Sequence, residues 1–164
     1  MASVQRLNHA VLYVADAERA AAFYRDVLGF EIVVEFPGAA FLRAAGSPND
    51  HDLGLFGLGA GATKPRGRSV GLYHLAWQVD TIEELAALRT VLAQVGSLVG
   101  ESDHHVSKSL YAQDPDGNEF EVMWAVPRGE WTGDVGTVRL DLDAELARWA
   151  GVRTLAQSNI VADA

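Results

Sequence analysis

Short apolar runs and one longer periodic run succeed each other along the first third of the chain. Residues 7–14 form a mainly apolar run of the length of a β-strand. Residues 17–28 repeat their apolar positions at helical spacing, which predicts an α-helix that Asp16 caps and Gly29 ends. Strands are predicted next at residues 31–36, 39–45 and 53–57. The expected order is strand, helix and three strands.

The same succession returns 65 residues further on, with His9 and His74 at matching places. A strand at 73–79 precedes a helix at 82–95 that begins after Asp80 or Thr81. Strands are then predicted near Leu98, at 110–113 and at 119–124. The chain is therefore predicted to be an α+β protein of two tandem βαβββ modules. The predicted parts are a first module at 1–58, a linker at 59–69, a second module at 70–126, and a C-terminal extension at 127–164 with a helix at 141–150.

The amino-acid composition excludes several classes of function. The formal net charge is −9 over 164 residues, which argues against a nucleic-acid partner. There is no cysteine, so disulfides, thiolate ligands and a cysteine nucleophile are excluded, and any metal needs histidine and carboxylate ligands. No apolar stretch approaches the ~20 residues of a membrane span, and the first residues do not look like a leader. We expect a cytoplasmic protein without a membrane partner.

Three side chains are candidates for metal ligands. A histidine on a strand face is more often a hydrogen-bonded core residue, but its recurrence as His9 and His74 favours a shared role. Glu121 could be a glutamate on the wet side of an edge strand, as Glu119 could be, yet its place inside an apolar strand calls for a partner. The corresponding strand of the first module, residues 54–56, offers no ligand. Two histidines and one carboxylate are the set that non-haem iron(II) uses.

Three motifs carry a family resemblance: Asn-His-Ala at 8–10, Ala-Phe-Tyr-Arg-Asp-Val-Leu-Gly-Phe at 22–30, and Ser-Leu-Tyr-Ala-Gln-Asp-Pro-Asp-Gly-Asn at 109–118. In these motifs the chain resembles the vicinal oxygen chelate superfamily, which includes glyoxalase I, bleomycin-resistance proteins and type I extradiol dioxygenases. The resemblance is strongest to the catechol 2,3-dioxygenases. It extends over nearly the whole chain, although many of those enzymes carry two such module pairs and this chain has one.

The resemblance implies that the two βαβββ modules form a curved mixed sheet around a metal site. It also implies roles for individual residues. His9, His74 and Glu121 fall where the catechol dioxygenases keep their iron ligands. His51 matches their acid–base histidine, and Tyr111, ten residues before Glu121, matches their active-site tyrosine. Without the resemblance, His51 would be an ordinary loop histidine and Tyr111 an ordinary strand aromatic.

A further histidine of the family contacts the substrate. His104 fits that place, and the neighbouring His105 is the alternative; both could also belong to a solvated turn.

The function that the resemblance implies is extradiol cleavage of a catechol. The implied cofactor is Fe(II), with Mn(II) as the other metal that the ligands accept. The implied partners are a small aromatic diol and O₂, and we expect a homo-oligomer, a dimer or larger. Two alternatives within the same fold stay open: a glyoxalase-like metal-dependent lyase or isomerase, and a non-catalytic drug-binding resistance protein.

Overall fold

The computed structural model describes residues 2–63 and 70–155. Part of the predicted linker (64–69), residue 1 and the end of the predicted C-terminal extension (156–164) lie outside the described residues. The described chain contains two successive βαβββ units, as the sequence predicts. The elements are β1 Ala10–Val14, α1 Ala17–Leu28, β2 Glu31–Phe36, β3 Ala39–Arg43, β4 Leu53–Gly57, β5 Leu75–Val79, α2 Ile82–Gln94, β6 Leu98–Asp103, β7 Ser107–Gln113, β8 Glu119–Ala125 and α3 Leu142–Trp149, with a 3-10 turn at Arg128–Glu130.

Helix α1 begins and ends at the residues that the sequence predicts. The side chain of Asp16 accepts a hydrogen bond from the backbone N–H of Arg19, at 3.0 Å. Gly29 adopts a φ of 73°, a left-handed conformation that glycine tolerates best, and its N–H donates to the Arg25 carbonyl. The helix buries its small and aromatic side, with Tyr24 1% exposed. Local capping chemistry therefore fixes both ends.

Thr81, and not Asp80, caps helix α2. The Thr81 side chain accepts from the backbone of Glu84, whose carboxylate accepts from the backbone N–H of Thr81 in return. Asp80 instead accepts the backbone N–H groups of Thr154 and Leu155, both at 2.8 Å. Asp80, the other candidate cap, is therefore hydrogen-bonded to the backbone at the end of the described residues.

Each module forms its own four-stranded mixed sheet. The orders are β1-β4-β3-β2 and β5-β8-β7-β6, and in each sheet only the first pair is parallel. The register pairs Val11 with Gly54 in the first sheet and Ala76 with Glu121 in the second. Gly54 is therefore the structural equivalent of Glu121. The fully buried core residues include Leu42, Leu53 and Leu55 in the first unit and Leu110, Phe120, Val122 and Trp124 in the second.

The first strand of each module begins later than predicted. β1 starts at Ala10 and β5 at Leu75, so His9 and His74 lie just before their strands. The first Cα pairs of the two parallel ladders are Ala10 with Leu53 and Leu75 with Phe120. Because the two parallel ladders begin at these pairs, the residues before them are not part of the strands. Both histidines consequently lie at the ends of strands, where side chains are accessible.

A segment that we call the C-terminal arm, residues 137–155, packs on the second module. Val138 exchanges two backbone hydrogen bonds with Asp103, both 2.9 Å. The predicted helix at 141–150 is the observed α3, which is capped by Asp141. The Trp149 ring lies 5.6 Å from the ring of Trp124. The arm is therefore joined to the second module by backbone pairing and by aromatic packing.

The chain divides into two compact units. Of the described residues, one unit comprises 2–63 and 70 with 114–117, and the other comprises 71–113 with 118–155. Residues 114–117 group with the first unit because Asp116 accepts from the N–H of Ala15 at 2.8 Å and forms an ion pair with Arg19. The boundaries predicted at 58, 70 and 126 stay predictions. Among the helices of the described residues, none combines the length and apolar character of a membrane span.

Candidate metal centre

The second unit brings His74 and Glu121 together. His74 directly precedes β5, and Glu121 is the third residue of β8, which lies next to β5. The Nε2 atom of His74 is 3.1 Å from Oε2 of Glu121. Glu121 is only 9% exposed, and a buried carboxylate is unfavourable unless a positive group or a metal faces it. The pair is therefore a place where a cation would be stabilised.

The pair also has the separation of two ligands on one metal ion. Two ligand atoms about 2.1 Å from an ion and at a right angle to each other are about 3 Å apart. The observed 3.1 Å fits this separation. The Nδ1 atom of His74 is buried and makes no hydrogen bond within the described part of the chain. The other ring nitrogen, Nε2, lies within hydrogen-bond distance of Glu121, and an imidazole nitrogen and a carboxylate oxygen are also ligand types that Fe(II) and Mn(II) accept.

The position of Glu121 differs from that of an ordinary surface glutamate. β8 lies between β5 and β7, so it is an inner strand and not an edge strand. In the ladder with β7, Glu121 stands opposite Tyr111. Glu119, on the same face, is half-buried. The alternative of a glutamate on the wet side of an edge strand does not apply to Glu121.

Tyr111 and His104 form a hydrogen-bonded pair beside Glu121. Nε2 of His104 is 2.8 Å from the Tyr111 hydroxyl, and the Tyr111 ring lies 5.7 Å from that of His74. Burial raises the pKa of Tyr111, and the negative charge of Glu121 raises it further. The phenol therefore stays protonated at neutral pH and is a hydrogen-bond donor.

His105 has a different local role from its neighbour. Its φ is 65°, the left-handed region that non-glycine residues rarely adopt. Its backbone N–H donates to the Asp103 carboxylate at 2.7 Å. Of the two histidines that the sequence left open, His104 is the one in contact with Tyr111.

The first unit brings His9 and His51 together. Their ring centroids are 4.6 Å apart. Nδ1 of His51 donates to the Asp50 carboxylate at 2.6 Å, and Nδ1 of His9 donates to the Asn8 side-chain oxygen at 2.8 Å. The hydrogen bond from His51 lowers the pKa of Asp50. In a neutral imidazole, a proton on Nδ1 leaves Nε2 with its lone pair, which suits a metal ligand or a general base.

The predicted residues thus fall into two clusters. His74, Glu121, Tyr111 and His104 lie in the second unit, and His9 and His51 lie in the first. Over residues 2–63 and 70–155, no group of three or more histidine or acidic side chains is close enough to hold a metal. A cavity of about 770 Å³ between α2, β6 and the C-terminal arm contains none of the six. The ligand set and the catalytic roles stay predictions.

The sequence did not indicate Thr137. Its hydroxyl lies 2.9 Å from Nδ1 of His104, so both ring nitrogens of His104 have a partner. Thr137 lies outside the two repeats, where no matching residue exists to draw attention to it. Spacing or repetition could not have found it.

The fold and the polar cluster define a class of protein with duplicated βαβββ modules and histidine and carboxylate side chains at the ends and middles of the strands. The model of the Glyoxalase/Bleomycin resistance protein/Dioxygenase superfamily matches residues 6–122. The chain belongs to this superfamily. The resemblance inferred from the sequence is therefore confirmed.

Relatives within the superfamily include ring-cleaving enzymes. The chain is 34% identical over 129 residues to the catechol-2,3-dioxygenase of Bacillus subtilis (strain 168), an alignment that covers 78% of this chain and 44% of that protein. It is 34% identical over 125 residues to biphenyl-2,3-diol 1,2-dioxygenase 3 of Rhodococcus globerulus, covering 75% and 65%. The chain therefore spans about half to two thirds of the length of these curated relatives.

A solved structure of another activity is also similar. The lactoylglutathione lyase of Agrobacterium tumefaciens has a TM-score of 0.56 and 28% identity, with 74% of this chain and 95% of that chain covered. The superfamily therefore contains both a lyase and dioxygenases among the relatives of this chain. Membership establishes the fold and the class, and the reaction has to be argued from the site.

Proposed function

We propose that this protein is an extradiol dioxygenase that cleaves a catechol-type diol with O₂. The observation that carries the proposal is the pair of half-buried His74 and buried Glu121, 3.1 Å apart, with the Tyr111 ring 5.7 Å from that of His74. The proposed metal is Fe(II), with Mn(II) as the alternative, and its proposed ligands are His9, His74 and Glu121. The names of the two dioxygenase relatives support this choice of substrate and reaction.

The bound metal would supply a Lewis acid that lowers the pKa of the diol hydroxyls and open coordination positions for the diol and O₂. The single carboxylate and two neutral imidazoles would leave the loaded ion with one net positive charge. That charge favours binding of a diol that has lost one proton. The negative charge of Glu121, in turn, would be offset in a site that is mostly shielded from water.

The remaining residues would handle protons and orientation. Tyr111 would donate its O–H to an oxygen of the bound diol, because its raised pKa keeps it protonated. His51 would accept a diol proton at Nε2, since its Nδ1–H is held by Asp50. The Asp50 contact orients the ring and stabilises the imidazolium that forms, as a carboxylate does in other acid–base dyads.

The test is anaerobic loading with Fe(II) or Mn(II), followed by catechol or 2,3-dihydroxybiphenyl and then air. The proposal predicts a yellow ring-opened product and an equal molar uptake of O₂. Loading with Zn(II), which has no redox chemistry, is the matched control and should give neither. Bound Fe(II) and Mn(II) without product from either diol would contradict the proposal.

A glyoxalase-like lyase is the second candidate, and its support is the similarity to the lactoylglutathione lyase. The structural equivalent of Glu121 in the first sheet is Gly54, which supplies no ligand. A Cβ added to Gly54 would meet Cγ2 of Val11 at 3.3 Å and the Phe41 ring at 3.4 Å. The packing around Gly54 therefore leaves little room for a carboxylate side chain at this position of the first sheet. This favours the asymmetric ligand set of a dioxygenase. Formation of lactoylglutathione by the Zn(II)-loaded protein would favour the lyase.

A further inference from the structure

The C-terminal arm meets the second module at the strand that leads to His104. Asp103 and Val138 exchange two backbone hydrogen bonds of 2.9 Å each. Lys108, 4% exposed, forms ion pairs with Asp103 at 2.6 Å and with Glu145 of α3 at 3.4 Å. A buried ion pair and a backbone bridge therefore fix the arm on both sides of this point. This anchoring also fixes the position of Thr137, the residue before Val138.

Thr137 completes a chain of three side chains that ends at Tyr111. Its hydroxyl is 2.9 Å from Nδ1 of His104, and Nε2 of His104 is 2.8 Å from the Tyr111 hydroxyl. A neutral imidazole has one N–H donor and one acceptor nitrogen. The hydrogen bonds must therefore all point the same way, either from Thr137 towards Tyr111 or from Tyr111 towards Thr137.

We propose that Thr137 is a positioning residue that donates to His104, so that His104 donates to the Tyr111 oxygen and the Tyr111 O–H is free for the substrate. In the opposite direction, Tyr111 would donate its O–H to His104. It would then present only lone pairs to an anionic diol, which is unfavourable. In this arrangement Thr137 acts on the site through the hydrogen bond between His104 and Tyr111. This inference rests on the proposed function, because it assigns a role towards the diol.

Kinetics of Thr137 variants test the role. Thr137→Val keeps the shape and removes the hydroxyl, and it should lower kcat about threefold to tenfold, the effect of one net hydrogen bond, with KM changed less than twofold. Thr137→Ser should restore kcat. Thr132→Val is the matched control, because the hydroxyl of Thr132 bonds to Asp134 and not to His104. Equal kcat in Thr137→Val and the wild type would overturn the proposal.

A second background separates positioning from a general loss of structure. In Tyr111→Phe the phenol oxygen is gone, so adding Thr137→Val should cause no further fall in kcat. A further threefold to tenfold fall in that double variant would show that Thr137 acts by another route, and it would overturn the proposal.

The direction of the hydrogen bonds has a test that needs neither metal nor turnover. Nitrogen-15 NMR of the imidazole rings distinguishes which nitrogen of His104 carries the proton. We expect the proton on Nε2 in the wild type, and a shift of the Nδ1 resonance in Thr137→Val but not in Thr132→Val. A proton on Nδ1 would overturn the inference even if ring cleavage is observed. The expected NMR result without ring cleavage would leave the network intact and contradict only the proposed function.

Discussion

Glu121→Gln tests whether the buried carboxylate is there to hold a metal. The substitution keeps the shape of the side chain and removes the charge that lies 3.1 Å from Nε2 of His74. At a free metal concentration one hundred times the Kd, a ligand bound only by the folded state stabilises it by about 2.7 kcal/mol. For a domain of this size, that corresponds to a rise in Tm of about 5–10 °C.

The expected loss follows from the role of the carboxylate. Even groups that only orient metal ligands cost 10–100-fold in affinity when they are removed, so loss of a ligand should cost at least about 100-fold. At the same metal concentration, the variant would then be half saturated and gain about 0.4 kcal/mol, a shift of about 1–2 °C. The metal-free variant should melt within about 2 °C of the metal-free wild type, because the substitution removes no packing.

The assay is thermal unfolding by calorimetry with and without Fe(II), under anaerobic conditions, and with Mn(II). Glu119→Gln is the matched control: it lies on the same face of β8, two residues away, and is half-buried. It should keep the full metal-dependent shift. A shift of 5–10 °C that survives in Glu121→Gln, or that is lost equally in Glu119→Gln, would refute the assignment of Glu121.

Two further predictions concern proton transfer and the C-terminal arm. His51→Gln should keep its metal, measured by elemental analysis, while kcat falls about a hundredfold because the general base is lost; turnover at the wild-type rate would remove His51 from the mechanism. Hydrogen bonds from the backbone of Leu155 and then Thr154 hold the pKa of Asp80 below its usual range, so its contribution to stability is present above the unfolded-state pKa of about 3.9 and is lost as the pH falls through the lower folded-state value. The protection factors of the Thr154 and Leu155 amides against hydrogen exchange should therefore fall as the pH drops through the folded-state pKa of Asp80, and they should also fall in Asp80→Asn at pH 7. Unchanged protection factors in both cases would contradict this role for Asp80.

Local signals in the sequence predicted the elements that depend on neighbouring residues. Helix α1 was predicted to the residue because Asp16 and Gly29 are capping groups that act within one turn. The strand at Leu53–Gly57 was also predicted with its observed bounds. The start of β1 was predicted three residues too early, because that boundary depends on where the partner strand begins and not on residues 7–9 themselves.

The site was predictable to the extent that the repeat and the family motifs mark it. They indicated His74, Glu121 and Tyr111, which the second unit brings close together. The contact of Thr137 with His104 was not predictable, since it joins residues 33 positions apart through a backbone bridge that no local pattern encodes. Asp80 was a candidate helix cap by residue type, and only the folded arm shows that its carboxylate has other partners.

The central proposal is that His9, His74 and Glu121 hold one metal ion. A crystal structure of the Fe(II)-loaded protein, with anomalous diffraction measured on both sides of the iron absorption edge, tests this claim directly. We expect one anomalous peak per chain, about 2.0–2.2 Å from a nitrogen of each histidine and an oxygen of Glu121. An iron peak elsewhere, or one without these three ligands, would contradict the account.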